Sequence, residues 1–132
     1  MTIAWAPSLS VGVARFDDQH RCFIGLINQL SSAVAAGEGP MLVDDILLRL
    51  VDYTHTHFKD EEVAMFETHY PKYREHKALH GAFANEVQVL MATRGASSSV
   101  PVELVEVMSR WLLQHIRNAD QQYASHLREY GY

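Results

Sequence analysis

His57-Phe58-Lys59-Asp60-Glu61 and, further along, His76-Lys77-Ala78-Leu79-His80 decide how this chain is read. Each stretch places two potential metal ligands four residues apart. On an α-helix that spacing is about 400° of rotation and about 6 Å of rise, so both side chains of a pair point the same way. The surrounding pattern is helical. Ile46, Leu50, Tyr53, His57, Glu61 and Met65 recur at steps of three and four, and so do Tyr73, His76, His80, Phe83, Val87 and Leu90. Both ligand pairs therefore sit on apolar faces. Polar groups buried there cost several kcal/mol unless something satisfies them.

Outward from these stretches the chain divides simply. Residues 1–16 read as an irregular arm broken by Pro7, Ser8, Ser10 and Gly12, with Trp5 and Phe16 as anchors on the core. Asp17 is a candidate cap for a first helix over about 17–36, whose inner face is Phe16, His20, Phe23, Ile27, Leu30 and Val34. Gly37, Gly39 and Pro40 end it. The second helix is expected over about 41–68 and the third over about 71–94, with Pro71 in its first turn. Gly95 to Val100 read as a loop, and Pro101 opens a fourth helix over about 101–129.

The fourth helix carries an irregularity. Its inner face reads Leu104, Met108, Trp111 and His115, then resumes at Asp120, Tyr123 and Leu127. The five-residue step from His115 to Asp120 lands about 140° round an ideal α-helix, off the face. A one-residue π-bulge restores the register, and such bulges are frequent at functional sites. The expectation is an all-α fold: an antiparallel up-down-up-down four-helix bundle, one domain over 1–132, with an irregular N-terminal arm.

Composition bounds the function. With 11 basic against 16 acidic residues and no basic stripe, nucleic acid is not an expected partner. No stretch approaches the ~20 apolar residues of a membrane span, and Met1 to Ser10 lack a secretory pattern, so the expected location is cytoplasmic. The single cysteine, Cys22, permits no internal disulfide and is expected as a small buried apolar side chain. Eight histidines outnumber the seven glycines, a bias that favours metal chemistry.

The inner faces collect His20, His57, Glu61, His76, His80, His115 and Asp120, five imidazoles and two carboxylates. One ion cannot use them all, since zinc takes four ligands. Two ions sharing both carboxylates can. Three histidines, two carboxylate bridges and a solvent-derived bridge fill one ion, while two histidines leave the other with an open position. The Glu-x-x-His pairs of ferritin-like bundles and the His-Glu-x-x-His of zinc proteases are both missing from the sequence. Asp17, Gln114 and Tyr123 are candidates to take the second N–H of ligand histidines. Glu62, His55, His69 and His126 are read as solvated.

Asp17-Asp18-Gln19-His20, His57-x-x-x-Glu61, His76-x-x-x-His80 and His115-x-x-x-x-Asp120, flanked by Tyr70-Pro71 and Trp111-Leu112, resemble the hemerythrin family in its single-domain bacterial form. The resemblance implies reversible dioxygen binding at a non-haem di-iron centre, for carriage, storage or delivery, and no enzyme activity. It assigns His76, His80 and His115 to one iron and His20 and His57 to the other. Glu61, Asp120 and an oxo or hydroxo group would bridge the two. Phe23, Phe58, Trp111, Leu112 and Ile116 would line an oxygen pocket. Azide and nitric oxide would be alternative ligands, and an oxygen-consuming enzyme a candidate protein partner. The competing readings are a sensor of oxygen, nitric oxide or redox state acting through a separate protein, and a di-iron oxidase or peroxidase-type enzyme.

Overall fold

The structure is a computed structural model that describes residues 2–38, 40–93 and 102–132. Its helices are α1 (Ala14–Ala35), α2 (Pro40–Glu67), α3 (Tyr73–Thr93), α4 (Val102–His115) and α5 (Gln121–Glu129). A π-helical turn, Ile116–Asp120, joins α4 to α5 without a break, so the two form one fourth rod. The fold is an all-α four-helix bundle with an N-terminal arm, which contains one 3-10 turn at Pro7–Leu9. The expected loop at 95–100 lies outside the described residues.

The arm packs as part of the body. Ile3 and the Asn28 side chain exchange two hydrogen bonds of 2.8 Å, and Leu9, Val11 and Val13 are buried. Asp17 does not cap α1, which starts earlier with Val13 at the N-cap. The Asp17 carboxylate instead accepts from Val11 N–H at 2.8 Å and from the Ser10 hydroxyl at 2.5 Å, tying the arm to the first turn. A negative charge there also suits the helix dipole.

The helix ends follow from the residues past them. At α1, Glu38 N–H reaches back to Ala33 O and Gly37 N–H to Val34 O, with Gly37 at φ 67°. This closure needs a left-handed residue, and glycine takes that conformation without steric cost. The end of α2 repeats the pattern with Tyr70 N–H on Met65 O and His69 N–H on Phe66 O, but here the left-handed residue is His69, at φ 56°. Pro71 falls in the turn ahead of α3, and His76 N–H bonds back to Lys72 O at 3.0 Å.

Two apolar clusters stack along the bundle. The larger holds Phe23, Ile27, Leu30, Leu47, Leu50, Phe83, Leu104 and Met108, and the smaller holds Val13, Phe16, Met65, Tyr123 and Leu127. His57 has a ring from each cluster against it, Phe16 at 6.2 Å and Phe23 at 6.3 Å. The polar groups of the inner faces thus form a layer between two dry regions. Among the described residues, no helix is long and apolar enough to cross a membrane.

Candidate metal centre

All seven inner-face groups are brought together, and each is buried. The π turn is what admits Asp120. By adding a residue between His115 and Asp120 it returns the carboxylate to the core, with Oδ1 3.0 Å from His115 Nε2. An unbroken α-helix through 115–120 would turn Asp120 away from the core.

The donors fall into two groups. In the first, His115 Nε2 lies 3.1 Å from both His76 Nε2 and His80 Nε2. Glu61 Oε1 approaches His80 Nε2 at 3.3 Å and His76 Nε2 at 3.8 Å, and Asp120 Oδ1 is 3.1 Å from His76 Nε2. The second group is His20 and His57, whose Nε2 atoms lie 3.4 and 3.5 Å from Glu61 Oε2. Asp120 Oδ2 is 3.1 Å from His20 Nε2. Each carboxylate therefore turns one oxygen toward each histidine group.

A cation fits this arrangement better than hydrogen bonds do. One imidazole nitrogen carries at most one proton, yet His115 Nε2 has three close polar neighbours, the nitrogens of His76 and His80 and the oxygen of Asp120. His20 Nδ1 and Nε2, Glu61 Oε1 and both Asp120 oxygens make no hydrogen bond although fully buried. Leaving that many buried polar atoms unsatisfied is costly. Donors at about 2.1 Å from an ion, and at right angles to each other, lie about 3 Å apart. Most of the separations here are near that value.

The titratable groups of the site polarise one another strongly. Burial pushes His20 down, but the carboxylates of Asp120 and Glu61 beside it prevail and hold it up at about 10. His76 is opposed by burial in the same way and is raised by the same two carboxylates to about 9. His57, buried with other imidazoles nearby, is lowered despite the Glu61 charge. Burial works against the Asp120 and Glu61 charges too, yet the surrounding histidines hold both carboxyls well below their ordinary range. The pocket demands positive charge, as protons or as metal.

Beyond the donors, the structure supplies partners that periodicity does not reveal. His57 Nδ1–H donates to Gln19 Oε1 at 2.6 Å. Gln19 Nε2 in turn donates to Asp60 at 2.8 Å, and Arg15 pairs with that carboxylate at 3.0 Å. His80 Nδ1–H donates to Glu62 at 2.8 Å. Glu62 is thus not a solvated bystander. It follows Glu61 by about 100° of helix rotation, which aims it across the α2–α3 groove at the back of His80. The Tyr123 hydroxyl donates to Glu61 in a very short hydrogen bond. Asp17 holds the arm, and Gln114 is exposed and offers its carbonyl to Asn118.

Aromatic rings cover the site unevenly. Phe58 stacks on His80, and Trp111 stacks on His115 at 4.3 Å with Phe83 stacked behind it at 4.0 Å. Phe23 stands edge-on to His57. Leu112 and Ile116 are buried in the larger cluster. His55 and His69 are exposed, in keeping with the sequence. His126 is not a free surface side chain: its Nε2 donates to Thr68 O at 2.8 Å, satisfying the carbonyl just past the end of α2. Cys22 is exposed, because two residues past His20 the helix has turned outward.

Comparison with known proteins finds relatives along nearly the whole chain. The family model described as the hemerythrin HHE cation binding domain matches residues 11–127. Bacteriohemerythrin of Stenotrophomonas maltophilia (strain R551-3) is 34% identical over 126 residues, covering 96% of this chain and 82% of its own length. Myohemerythrin-1 of Phascolopsis gouldii is 29% identical over 124 residues, covering 93% and 92%. A crystal structure of wild-type hemerythrin superposes with a TM-score of 0.86 at 27% identity, covering 96% of this chain and 98% of the other.

Proposed function

The chain belongs to the hemerythrin family, and from that premise we propose that it binds dioxygen reversibly at a non-haem di-iron centre, as a carrier, store or delivery protein. One ion would be held by His76, His80 and His115 and the other by His20 and His57, with Glu61 and Asp120 bridging. The observation that carries this reading is the two-sided placement of the carboxylates. Glu61 presents Oε1 to His80 and Oε2 to His20, while Asp120 presents Oδ1 to His115 and Oδ2 to His20. A single ion does not call for that arrangement. Imidazole and carboxylate donors suit iron, and when bound the iron pair supplies the redox equivalents that dioxygen binding draws on.

The protein's own part is to hold the donors and keep the site dry. Burial of all seven groups restricts how far each donor can move. Gln19 and Glu62 accept hydrogen bonds from Nδ1–H of His57 and His80, which leaves each Nε2 lone pair facing inward. Tyr123 donates a hydrogen bond to Glu61, which keeps one carboxylate oxygen oriented. Phe23, Phe58, Trp111, Leu112 and Ile116 would exclude water from the ligand pocket. Five imidazoles with two carboxylates also donate less charge than a carboxylate-rich site, and this favours binding over oxidation of a substrate.

Loading the protein with ferrous iron under argon tests the reading. Iron content near two per chain, one for each donor group, is expected. So are an optical spectrum that appears in air and disappears under argon over repeated cycles, and new bands with azide. Iron that oxidises once and never cycles would overturn reversible binding.

A further inference from the structure

The two histidines whose outer nitrogens are partnered have partners of different charge. His80 Nδ1–H points at a carboxylate, Glu62, at 2.8 Å. His57 Nδ1–H points at a neutral amide, Gln19, at 2.6 Å. The amide orientation follows from its neighbours. Gln19 Nε2 must face the Asp60 carboxylate, because reversing the amide would set oxygen against oxygen there and N–H against N–H at His57. Behind His57 Nδ1 the negative charge therefore lies one link further out, on Asp60, and Arg15 pairs with it at 3.0 Å. Among the described residues no lysine or arginine pairs with Glu62, whose side chain is 21% exposed.

A carboxylate behind a coordinated imidazole draws its N–H proton and makes the ring a stronger donor. A stronger donor stabilises the more oxidised ion. Phe58 stacked on His80 holds the ring in the plane that lets Nδ1 face Glu62 while Nε2 faces the site. We propose that Glu62 is a positioning residue that sets the oxidation equilibrium of the pair by charging the three-histidine side alone, through His80. Gln19 keeps the two-histidine side neutral. The inference rests on the iron reading above and deepens it. It makes ease of oxidation a property of a side chain that touches neither ion.

The test is the midpoint potential of the iron-loaded full chain, followed optically with mediators, after iron content is measured. Glu62→Gln keeps the shape and removes the charge. The oxidation equilibrium is expected to move about tenfold toward the reduced form, ~59 mV upward for one electron. Glu67→Gln, on the exposed face of the same helix, should leave the potential where it was. The double variant Gln19→Glu with Asp60→Asn moves the existing charge one link closer to His57 at constant net charge. It should shift the potential downward.

Full iron in Glu62→Gln with an unmoved potential would overturn the proposal, as would an equal shift in Glu67→Gln. Should Glu62→Gln fail to hold iron, the double variant decides alone: a fall supports the proposal and no shift overturns it. A wild-type protein that takes up no iron fails the functional reading itself, and the first measurement separates that outcome from the others.

Discussion

Phe58 lies face to face on His80, with ring centroids 3.8 Å apart and planes 2° apart. The contact holds the His80 imidazole by packing, beside the hydrogen bond from its Nδ1–H to Glu62. Phe58→Ala would remove a buried aromatic ring, with an expected loss of about 3–5 kcal/mol. It would also remove the stacking partner of the His80 ring and leave the Glu62 hydrogen bond to orient it. Phe58→Leu keeps most of the apolar volume and should recover much of the stability but not the ring alignment. Denaturant melts of the metal-free protein, set beside iron titrations, check this: Leu is expected to separate fold stability from metal affinity, and Ala to damage both.

Tyr123 tests the support of a carboxylate. Its ring is wholly buried among Phe16 and His76, and its hydroxyl serves Glu61. Burial and the nearby carboxylate charges push its phenol well above the usual range, so it stays a donor at any working pH. Tyr123→Phe keeps the ring and strands an oxygen of Glu61. A loss of about 1–3 kcal/mol is expected in the metal-free protein. Urea titration measures it.

The response to pH should reverse with metal. His20 and His76 are raised above the ordinary histidine value, to about 10 and about 9. Their contribution to the metal-free protein is therefore complete below about pH 6.5 and lost as pH rises through 9 to 10. Glu61 and Asp120 are depressed, so their contribution is present above the usual carboxylate range and lost as acid protonates them. Metal-free protein should thus melt at a lower temperature at pH 10 than at pH 6.5. In the loaded protein the ions replace the protons, and the loss in base should vanish. Acid should then release the metal, because protons compete for the same nitrogens. Thermal melts across pH, with and without iron, check both limbs.

His69 stores strain that the site does not need. It occupies a left-handed conformation at φ 56° and is exposed. His69→Gly is expected to stabilise the protein by about 1 kcal/mol. Iron content should be unchanged. His126→Ala, nearby, should destabilise by about 1 kcal/mol by stranding the Thr68 carbonyl. Paired thermal melts distinguish the two.

Much of the bundle was legible in the sequence because helical periodicity reports which way each side chain leaves its own helix. His57, Glu61, His76 and His80 fall on apolar faces by count, and the five-residue step after His115 called for the π turn found at Ile116–Asp120. Some departures are of the same local kind. Cys22, two residues past the inward His20, lies about 200° round on the outer face, and α1 begins at Ala14, three residues ahead of Asp17.

Tertiary structure alone decided what stands behind the donors. Glu62 and Gln19 lie off the apolar stripes, and their roles depend on how far α2 is turned toward α3 and α1 toward α2. The same holds for His126 on Thr68 and for the arm that Asp17 ties down. Periodicity sets direction within one helix, but a hydrogen bond between helices needs their relative rotation and height to within about an ångström. That register is set by the packing of all the side chains at once. So the chain order of amino acids determined the inner donors of this protein, and only the assembled bundle determined which charges they feel.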